Sequence, residues 1–163
     1  VGRVDTNKNQ EQIIRYFSKI NDRNWKLIIC GDGPLIPKLK ELVIELNINN
    51  SVEFTGIVKN IEKYYKRASI FAFTSLSEGF PNVLLEAMNY ECACISFDCP
   101  TGPGILIENN FNGYLIPPAD DSLYSKCLQR LMYDKKLRNY FTKNSKNRLI
   151  DYSIKNIVPE WVN

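Results

Sequence analysis

The stretch Ser75–Met88 constrains the fold more than any other part of the chain. It follows an apolar run of β-branched and aromatic residues, Ile70–Thr74, which predicts a buried strand. Gly79 then breaks the pattern, and Pro81 is typical of a first helical turn, where a missing N–H is tolerated. From Pro81 onward the apolar residues recur at helical spacing. The stretch therefore predicts a strand, a tight loop and a helix whose N-terminus opens at the carboxyl end of the strand.

A loop of this kind suits a phosphate ligand, because free backbone N–H groups and the positive end of the helix dipole point to one place. Two carboxylates frame the loop, Glu78 within it and Glu86 on the second turn of the helix. Carboxylates accept hydrogen bonds from the hydroxyls of a sugar or a ribose. Helix electrostatics alone also favour a glutamate near a helix start, so the pair needs support from the rest of the chain.

Composition indicates a single soluble domain. The chain has 163 residues, with 44% hydrophobic and 24% charged residues, which is enough to bury a core. Its net charge of +3 comes from 21 basic and 18 acidic residues. Because the excess is small and no dense basic cluster is interleaved with aromatics, we expect no nucleic-acid partner. No apolar run in the sequence is long enough to span a bilayer.

The cysteine and histidine counts narrow the chemistry. The sequence has 5 cysteines, an odd number, and Cys92 and Cys94 lie at alternate positions of a strand pattern. This predicts reduced and mostly buried thiols, as in a cytosolic protein. The sequence has 0 histidines and no Cys-x2-Cys spacing, which disfavours a zinc site. The lack of histidine also removes Ser-His and Cys-His nucleophilic machinery. A general base would have to be a carboxylate, a lysine or a group outside these residues.

The beginning of the sequence adds two cations to the same expected edge. The residues Val1–Val4 read as the tail of a strand, which suggests a fragment of a longer chain, and Gln10–Ile20 reads as a helix. Arg3 and Lys8 would then flank a strand-to-helix loop, at the edge where open α/β sheets bind ligands. Surface cations are commonly just solvated, so their position in this loop carries the argument.

The sequence predicts further elements between and after these motifs. Val52–Gly56 reads as a short strand and Ile61–Ala68 as a helix, in which Tyr64 and Tyr65 are expected to pack rather than to stack on a ligand. Asp98–Gly104 reads as a turn-rich loop. Residues 152–163, which include Trp161, read as a terminal helix broken near Pro159.

Four motifs occur in a fixed order along the chain: Gly-Arg-x4-Lys from Gly2, Gly-x-Gly-Pro from Gly31, Glu-Gly-Phe-Pro-x4-Glu-Ala-Met from Glu78, and Asn-Gly at Asn112. Together they resemble the C-terminal, nucleotide-sugar-binding domain of retaining glycosyltransferases of the GT-B fold, family four, the Glu-x7-Glu type. The run from Ser96 to Pro103 resembles the branch of that family that builds bacterial surface polysaccharides. The resemblance extends to about Asp121.

The resemblance implies a fold and a set of roles. It implies an α/β, Rossmann-like parallel sheet of about six strands with flanking helices, spanning residues 1–163, with an N-terminal acceptor domain outside this chain. Catalytic roles would fall to Glu78, Arg3 and Lys8, with the cations stabilising the leaving diphosphate. Glu86 would hold the ribose. The full set of implied donor-binding residues is Arg3, Lys8, Ile57, Val58, Glu78, Gly79, Phe80, Pro81, Asn82, Val83 and Glu86.

The resemblance also sets expectations for ligands and location. It implies a UDP-sugar donor carrying a hexose or N-acetylhexosamine, with GDP-mannose open, no metal or other cofactor, and a lipid-linked glycan acceptor. A cytoplasmic location is expected, with peripheral association at the inner face of the membrane left open. Two alternatives are a UDP-sugar epimerase of the same fold and a non-enzymatic nucleotide-binding module. One departure concerns Glu91, which stands where the family has a glycine ending the helix, so this cap must differ.

Overall fold

The computed structural model describes residues 1–20 and 22–151, in which helices and strands alternate until two consecutive helices end the described part of the chain. The terminal helix expected within residues 152–163, with Trp161, lies outside the described residues. The helices are α1 (Gln10–Ile20), α2 (Ile36–Glu45), α3 (Glu62–Tyr65), α4 (Asn82–Asn89), α5 (Pro103–Leu106), α6 (Asp121–Tyr133) and α7 (Lys135–Asp151). The strands are β1 (Leu27–Cys30), β2 (Val52–Gly56), β3 (Ile70–Phe73), β4 (Ala93–Phe97) and β5 (Gly113–Ile116).

The strands form two parallel sheets, which confirms the α/β class. One sheet pairs β1 with β2, and the other has the order β3-β4-β5. Five strands form within the described residues, against about six expected. The difference lies at Val1–Val4, which does not form a strand. Its backbone continues the edge of β1, because the Gly2 N–H donates to Cys30 O and the Val4 N–H donates to Asp32 O, both at 2.9 Å.

Apolar periodicity located most elements to within one or two residues, and α1 and β2 have the predicted bounds. Two predictions were wrong in extent. The helix expected over Ile61–Ala68 is only the single turn α3. The stretch Asp98–Gly104, predicted as a loop, leads into the short helix α5. In both places the pattern covers too few residues to fix a helix from sequence.

The core lies on both faces of the three-stranded sheet. Every residue of β4 is buried, because β4 lies between two strands and helices cover both its faces. On one face α1, α6 and α7 bury Ile14, Tyr124 and Phe141 completely. On the other face α4 buries Leu84 and Met88. The amphipathic pattern of the helices therefore determines which side of the sheet each one covers.

The five cysteines are free thiols, as predicted, and four of them are buried. Cys92 and Cys94 are fully buried beneath α4. Burial raises the pKa of the Cys92 thiol to about 12. A thiol with so high a pKa is protonated and unreactive at neutral pH.

Glu91 ends α4 in a left-handed conformation, with φ of 60°. The Cys92 N–H donates to Ala87 O at 3.0 Å and the Glu91 N–H donates to Met88 O at 3.1 Å. These two bonds form the helix-ending motif in which glycine is the usual residue. The cap therefore has the usual geometry, and the departure of Glu91 from the family pattern places backbone strain at this position.

Candidate functional site

Hydrogen bonds join the loop before α1 to the loop after β3. The Leu76 N–H donates to Asn7 O at 2.8 Å, and Asn7 Nδ2 donates to Ser77 O at 2.9 Å. Thr74 Oγ1 donates to Lys8 O at 3.1 Å. These bonds join the loop that carries Lys8 to the loop that carries Glu78, although the two are 70 residues apart in sequence.

Lys8 and Glu78 meet across these loops. Lys8 Nζ donates to Glu78 Oε1 at 2.5 Å, and the side chains are 24% and 11% exposed. The ammonium also lies 5.9 Å from the centroid of the Phe73 ring. Partial removal from water makes this pair stronger than an exposed ion pair. The structure therefore brings together two of the three side chains with predicted catalytic roles.

A third loop supports the backbone of Glu78. Thr101 Oγ1 donates to Glu78 O at 2.6 Å. A Cβ atom on Gly102 would lie 3.1 Å from Glu78 Cβ and 3.4 Å from Gly79 O, so this loop packs closely against the first. The position of Glu78 thus depends on contacts from both sides.

A cavity of about 420 Å³ collects five of the predicted donor-binding residues. Arg3, Ile57, Val58, Val83 and Glu86 all line it. They come from three separate parts of the chain: residues 1–4, the residues after β2, and the first two turns of α4. Ile57 is 83% exposed, so its apolar side chain does not contribute to the core. The arrangement combines a cation, a carboxylate and an apolar wall in one concave surface, as small-molecule sites commonly do.

Glycines allow the start of the chain to lie against the turn after β1. A Cβ atom on Gly31 would lie 1.8 Å from Gly2 O, and one on Gly33 would lie 2.2 Å from Val4 O. Gly31 also has φ of 132°, which side chains rarely adopt. Arg3 therefore reaches the cavity because these two positions carry no side chain.

The Arg3 side chain is only weakly constrained. Its side chain is 75% exposed and lies 3.6 Å from the Asp5 carboxylate. An exposed ion pair at this distance stabilises little, so the guanidinium can turn toward a ligand at small cost. The Arg3 carbonyl is held more firmly, since it accepts a bond of 2.8 Å from Gln10 Nε2.

Glu86 is held by a tyrosine that sequence reasoning assigned to packing. Tyr65 Oη donates to Glu86 Oε2 at 2.9 Å and lies 3.3 Å from Val83 O. Tyr65 is 2% exposed and stacks on Tyr90, with ring centroids 5.7 Å apart. Burial and the Glu86 carboxylate raise the pKa of the Tyr65 hydroxyl, which remains a donor at neutral pH. No local sequence signal distinguishes this tyrosine from Tyr64, because the contact depends on how α3 packs against α4.

The loop residues before α4 lie beside these groups. Pro81 is the N-cap of the helix rather than a residue of its first turn, and no side chain of the described residues caps it. The Asn82 N–H donates to Phe80 O at 3.0 Å, and Phe80 is 43% exposed. Residues 79–82 do not line the cavity that holds Arg3 and Glu86. Their predicted contact with the donor phosphates remains a prediction.

Neither a metal centre nor a membrane span is found within residues 1–20 and 22–151. No group of three or more acidic or cysteine side chains there is arranged to hold a metal ion. No helix in the same part of the chain combines the length and apolarity needed to cross a bilayer.

Comparison with known proteins shows the family and the fold of this chain. The sequence model of the family described as Glycosyl transferases group 1 matches residues 1–148. A curated relative from Campylobacter jejuni, an α-1,4-N-acetyl-D-galactosaminyltransferase named for a diphospho-undecaprenol-linked glycan, is 32% identical over 99% of this chain and 45% of its own length. The chain spans about half the length of the curated relatives it matches.

Two solved structures have the same fold. The S. aureus protein TarM, solved as a mutant in complex with fondaparinux, α-GlcNAc-glycerol and UDP, superposes with a TM-score of 0.93 at 25% identity, over 99% of this chain and 34% of that one. The C-terminal domain of a group 1 glycosyl transferase from Francisella tularensis superposes with a TM-score of 0.85 at 26% identity, over 94% of this chain and 84% of that one. With the ordered motifs, the parallel α/β fold and a family match over nearly all of its length, this chain belongs to the group 1 glycosyl transferases and has the fold of their C-terminal domain.

Proposed function

We propose that this chain is the nucleotide-sugar-binding half of a retaining glycosyltransferase of family four. The observation that carries the proposal is the cavity shared by Arg3, Ile57, Val58, Val83 and Glu86, with the Lys8–Glu78 pair on the adjoining loops. The TarM structure contains UDP, which supports a uridine diphosphate donor. Under this proposal, Ile57 and Val58 face the base and Glu86 accepts hydrogen bonds from the ribose hydroxyls.

Charge stabilisation is the main chemical contribution of this half. Cleavage of a nucleotide-sugar leaves negative charge on the departing diphosphate, and preorganised cations lower the barrier by binding that charge. Arg3 is exposed enough to move onto the diphosphate. Lys8 has three N–H donors and uses one on Glu78, so its ammonium can bind a phosphate oxygen while keeping that bond. The low exposure of the pair strengthens these interactions relative to water.

Glu78 would bind hydroxyls of the transferred sugar. Its bond to Lys8 keeps the carboxylate oriented, and the Thr101 bond fixes its backbone. We propose front-face transfer assisted by the leaving phosphate, so that Glu78 positions the sugar and forms no covalent bond to it. No step of this proposal requires a metal ion.

The acceptor would be a lipid-linked glycan of bacterial surface-polysaccharide synthesis. The name of the Campylobacter jejuni relative, which specifies a diphospho-undecaprenol-linked glycan, supports this class. The acceptor surface and part of the cleft would come from an N-terminal domain. Such an enzyme would work in the cytoplasm, at the inner face of the membrane where the acceptor lipid is held.

Calorimetric titration of residues 1–163 with UDP, GDP and ADP at one salt concentration tests the donor site. We expect UDP to bind and the other two to bind more weakly. Arg3→Ala should weaken UDP binding by about tenfold or more, because a charge-assisted hydrogen bond contributes about 1.5–3 kcal/mol. The high exposure of Arg3 means that this change should leave the fold intact.

Lys40→Ala is the matched control, since Lys40 is an exposed cation on α2 that does not line the cavity. It should bind UDP as the unaltered chain does. If Arg3→Ala binds UDP as tightly as Lys40→Ala does, the diphosphate does not lie at Arg3 and the non-enzymatic module becomes the better interpretation. A preference for GDP would keep the transferase but change the donor.

A further inference from the structure

The loop between β4 and α5 holds a threonine in a strained backbone conformation. Thr101 has φ of 59°. Of the described residues other than glycine that have a positive φ, Thr101 alone is β-branched. A branched side chain makes this region of backbone space costly, so the conformation persists only where surrounding contacts hold it. Strain of this kind is concentrated at ligand-binding sites.

Prolines and a buried cysteine limit the freedom of this loop. Pro100 precedes Thr101, and Pro103 follows one residue later. A proline has a fixed φ and also restricts the residue before it, so the loop has few accessible conformations. Cys99, which is buried, anchors the start of the loop. Burial and the nearby Glu78 carboxylate raise the pKa of the Cys99 thiol, so the loop begins close to the Glu78 side chain.

The strained threonine is bonded to the backbone of Glu78. Thr101 Oγ1 donates to Glu78 O at 2.6 Å. The next residue, Gly79, is not held by packing, because a Cβ atom there would have nothing within 4 Å. Glycine adopts more backbone conformations than any other residue, so the peptide plane between Glu78 and Gly79 needs another restraint. The Thr101 hydroxyl supplies that restraint.

The two ends of Glu78 are held by different parts of the chain. At the backbone end, Gly102 packs closely enough that a Cβ atom on it would lie 3.1 Å from Glu78 Cβ and 3.7 Å from Pro81 Cδ. At the carboxylate end, Lys8 Nζ donates to Glu78 Oε1. With the backbone and Oε1 both held, the direction of the second carboxylate oxygen, Oε2, is determined as well.

We propose that Thr101 is a positioning residue for the donor sugar, an inference that rests on the proposed role of Glu78 in binding that sugar. The Thr101 hydroxyl holds Glu78 so that Oε2 can accept hydrogen bonds from sugar hydroxyls. Thr101 does not line the cavity that holds Arg3 and Glu86, which are assigned to the nucleotide. Loss of the hydroxyl should therefore weaken binding of the sugar and leave binding of the nucleotide unchanged.

Thr101→Val and Thr101→Ser form a matched pair of variants. Valine keeps the branched shape and the backbone strain but removes the donor, whereas serine keeps the donor. Residues 1–163 with each change are titrated with UDP-N-acetylgalactosamine, UDP-glucose and the β-methyl ester of UDP. The methyl ester has the charge of a UDP-sugar but no sugar. The ratio of its Kd to the Kd of the tighter-binding UDP-sugar therefore measures what the sugar contributes.

We expect Thr101→Val to lower this ratio about fivefold, as the loss of one hydrogen bond does, and to leave the Kd of the methyl ester unchanged. Thr101→Ser should have the ratio of the unaltered chain. Glu78→Gln is the reference variant, because it changes the group that contacts the sugar under the proposed function. It should lower the ratio at least as much as Thr101→Val does.

A lower ratio in Glu78→Gln with no change in Thr101→Val would overturn the positioning role of Thr101 and leave the proposed function standing. An equal loss of affinity for the methyl ester and the UDP-sugar in Thr101→Val would also overturn it, because the hydroxyl would then support the whole site. If neither Glu78→Gln nor Thr101→Val changes the ratio, the sugar does not lie at Glu78. The positioning role and that part of the proposed function would then both be wrong.

Discussion

Three glycine substitutions test whether the close approach between Val1–Val4 and the turn after β1 stabilises this domain. Gly31→Ala combines a strained φ of 132° with a clash of 1.8 Å against Gly2 O. Gly33→Ala introduces a clash of 2.2 Å against Val4 O without a positive φ. Gly56→Ala has φ of 65° but nothing within 4 Å of the new Cβ, so it introduces strain alone.

The expected losses follow from the bonds involved. Gly56→Ala should cost about 1 kcal/mol, the penalty for a side chain in the left-handed region. Gly31→Ala strains the backbone and also breaks the hydrogen bond between Gly2 and Cys30, so it should lower the free energy of unfolding by about 3 kcal/mol. Gly33→Ala displaces Val4, which is fully buried, with its bonds to Asp32 and Leu35, also for about 3 kcal/mol.

Urea unfolding followed by circular dichroism measures these losses. With a slope of about 2 kcal/mol per M, the midpoint should fall by about 0.5 M for Gly56→Ala and by about 1.5 M for the other two. If Gly31→Ala and Gly33→Ala lose no more than Gly56→Ala, the Val1–Val4 segment is not packed as described. The explanation for the position of Arg3 would then be wrong.

Three further changes test single contacts. Tyr65→Phe removes the donor to Glu86 and should weaken UDP binding about fivefold while the fold persists. The control Tyr64→Phe should leave UDP binding unchanged. Equal UDP affinity in the two variants would contradict a positioning role for Tyr65. Glu91→Gly should raise the free energy of unfolding, measured by urea unfolding, by about 0.5–1 kcal/mol, because relief of the left-handed strain exceeds the loss of an exposed ion pair. A loss of stability would show that Glu91 is not strained. Burial raises the pKa of Tyr16, so the unfolded chain loses this proton first and stability should fall as pH rises above about 10. Tyr16→Phe should make that fall less steep, and an identical pH profile would contradict it.

The sequence located the candidate site by its loops but left the contacts between them open. Arg3, Lys8, Glu78 and Glu86 were predicted to lie at one sheet edge because each follows a strand, and parallel strands end at the same edge. The shared edge alone does not determine that Lys8 contacts Glu78 or that Arg3 and Glu86 line a separate cavity. Those facts depend on loop conformations, which hydrogen bonds such as Leu76 to Asn7 determine.

What the sequence alone determined is the order and type of the elements. The bounds of α1 and β2 follow from apolar spacing, since a period of 3.6 or 2 is a property of neighbouring residues. Tertiary structure decided what depends on residues far apart. It gave Tyr65 a carboxylate partner on another helix and placed Glu91 in a conformation usual for glycine. Each of these features is set by which elements pack together, and local periodicity does not encode that.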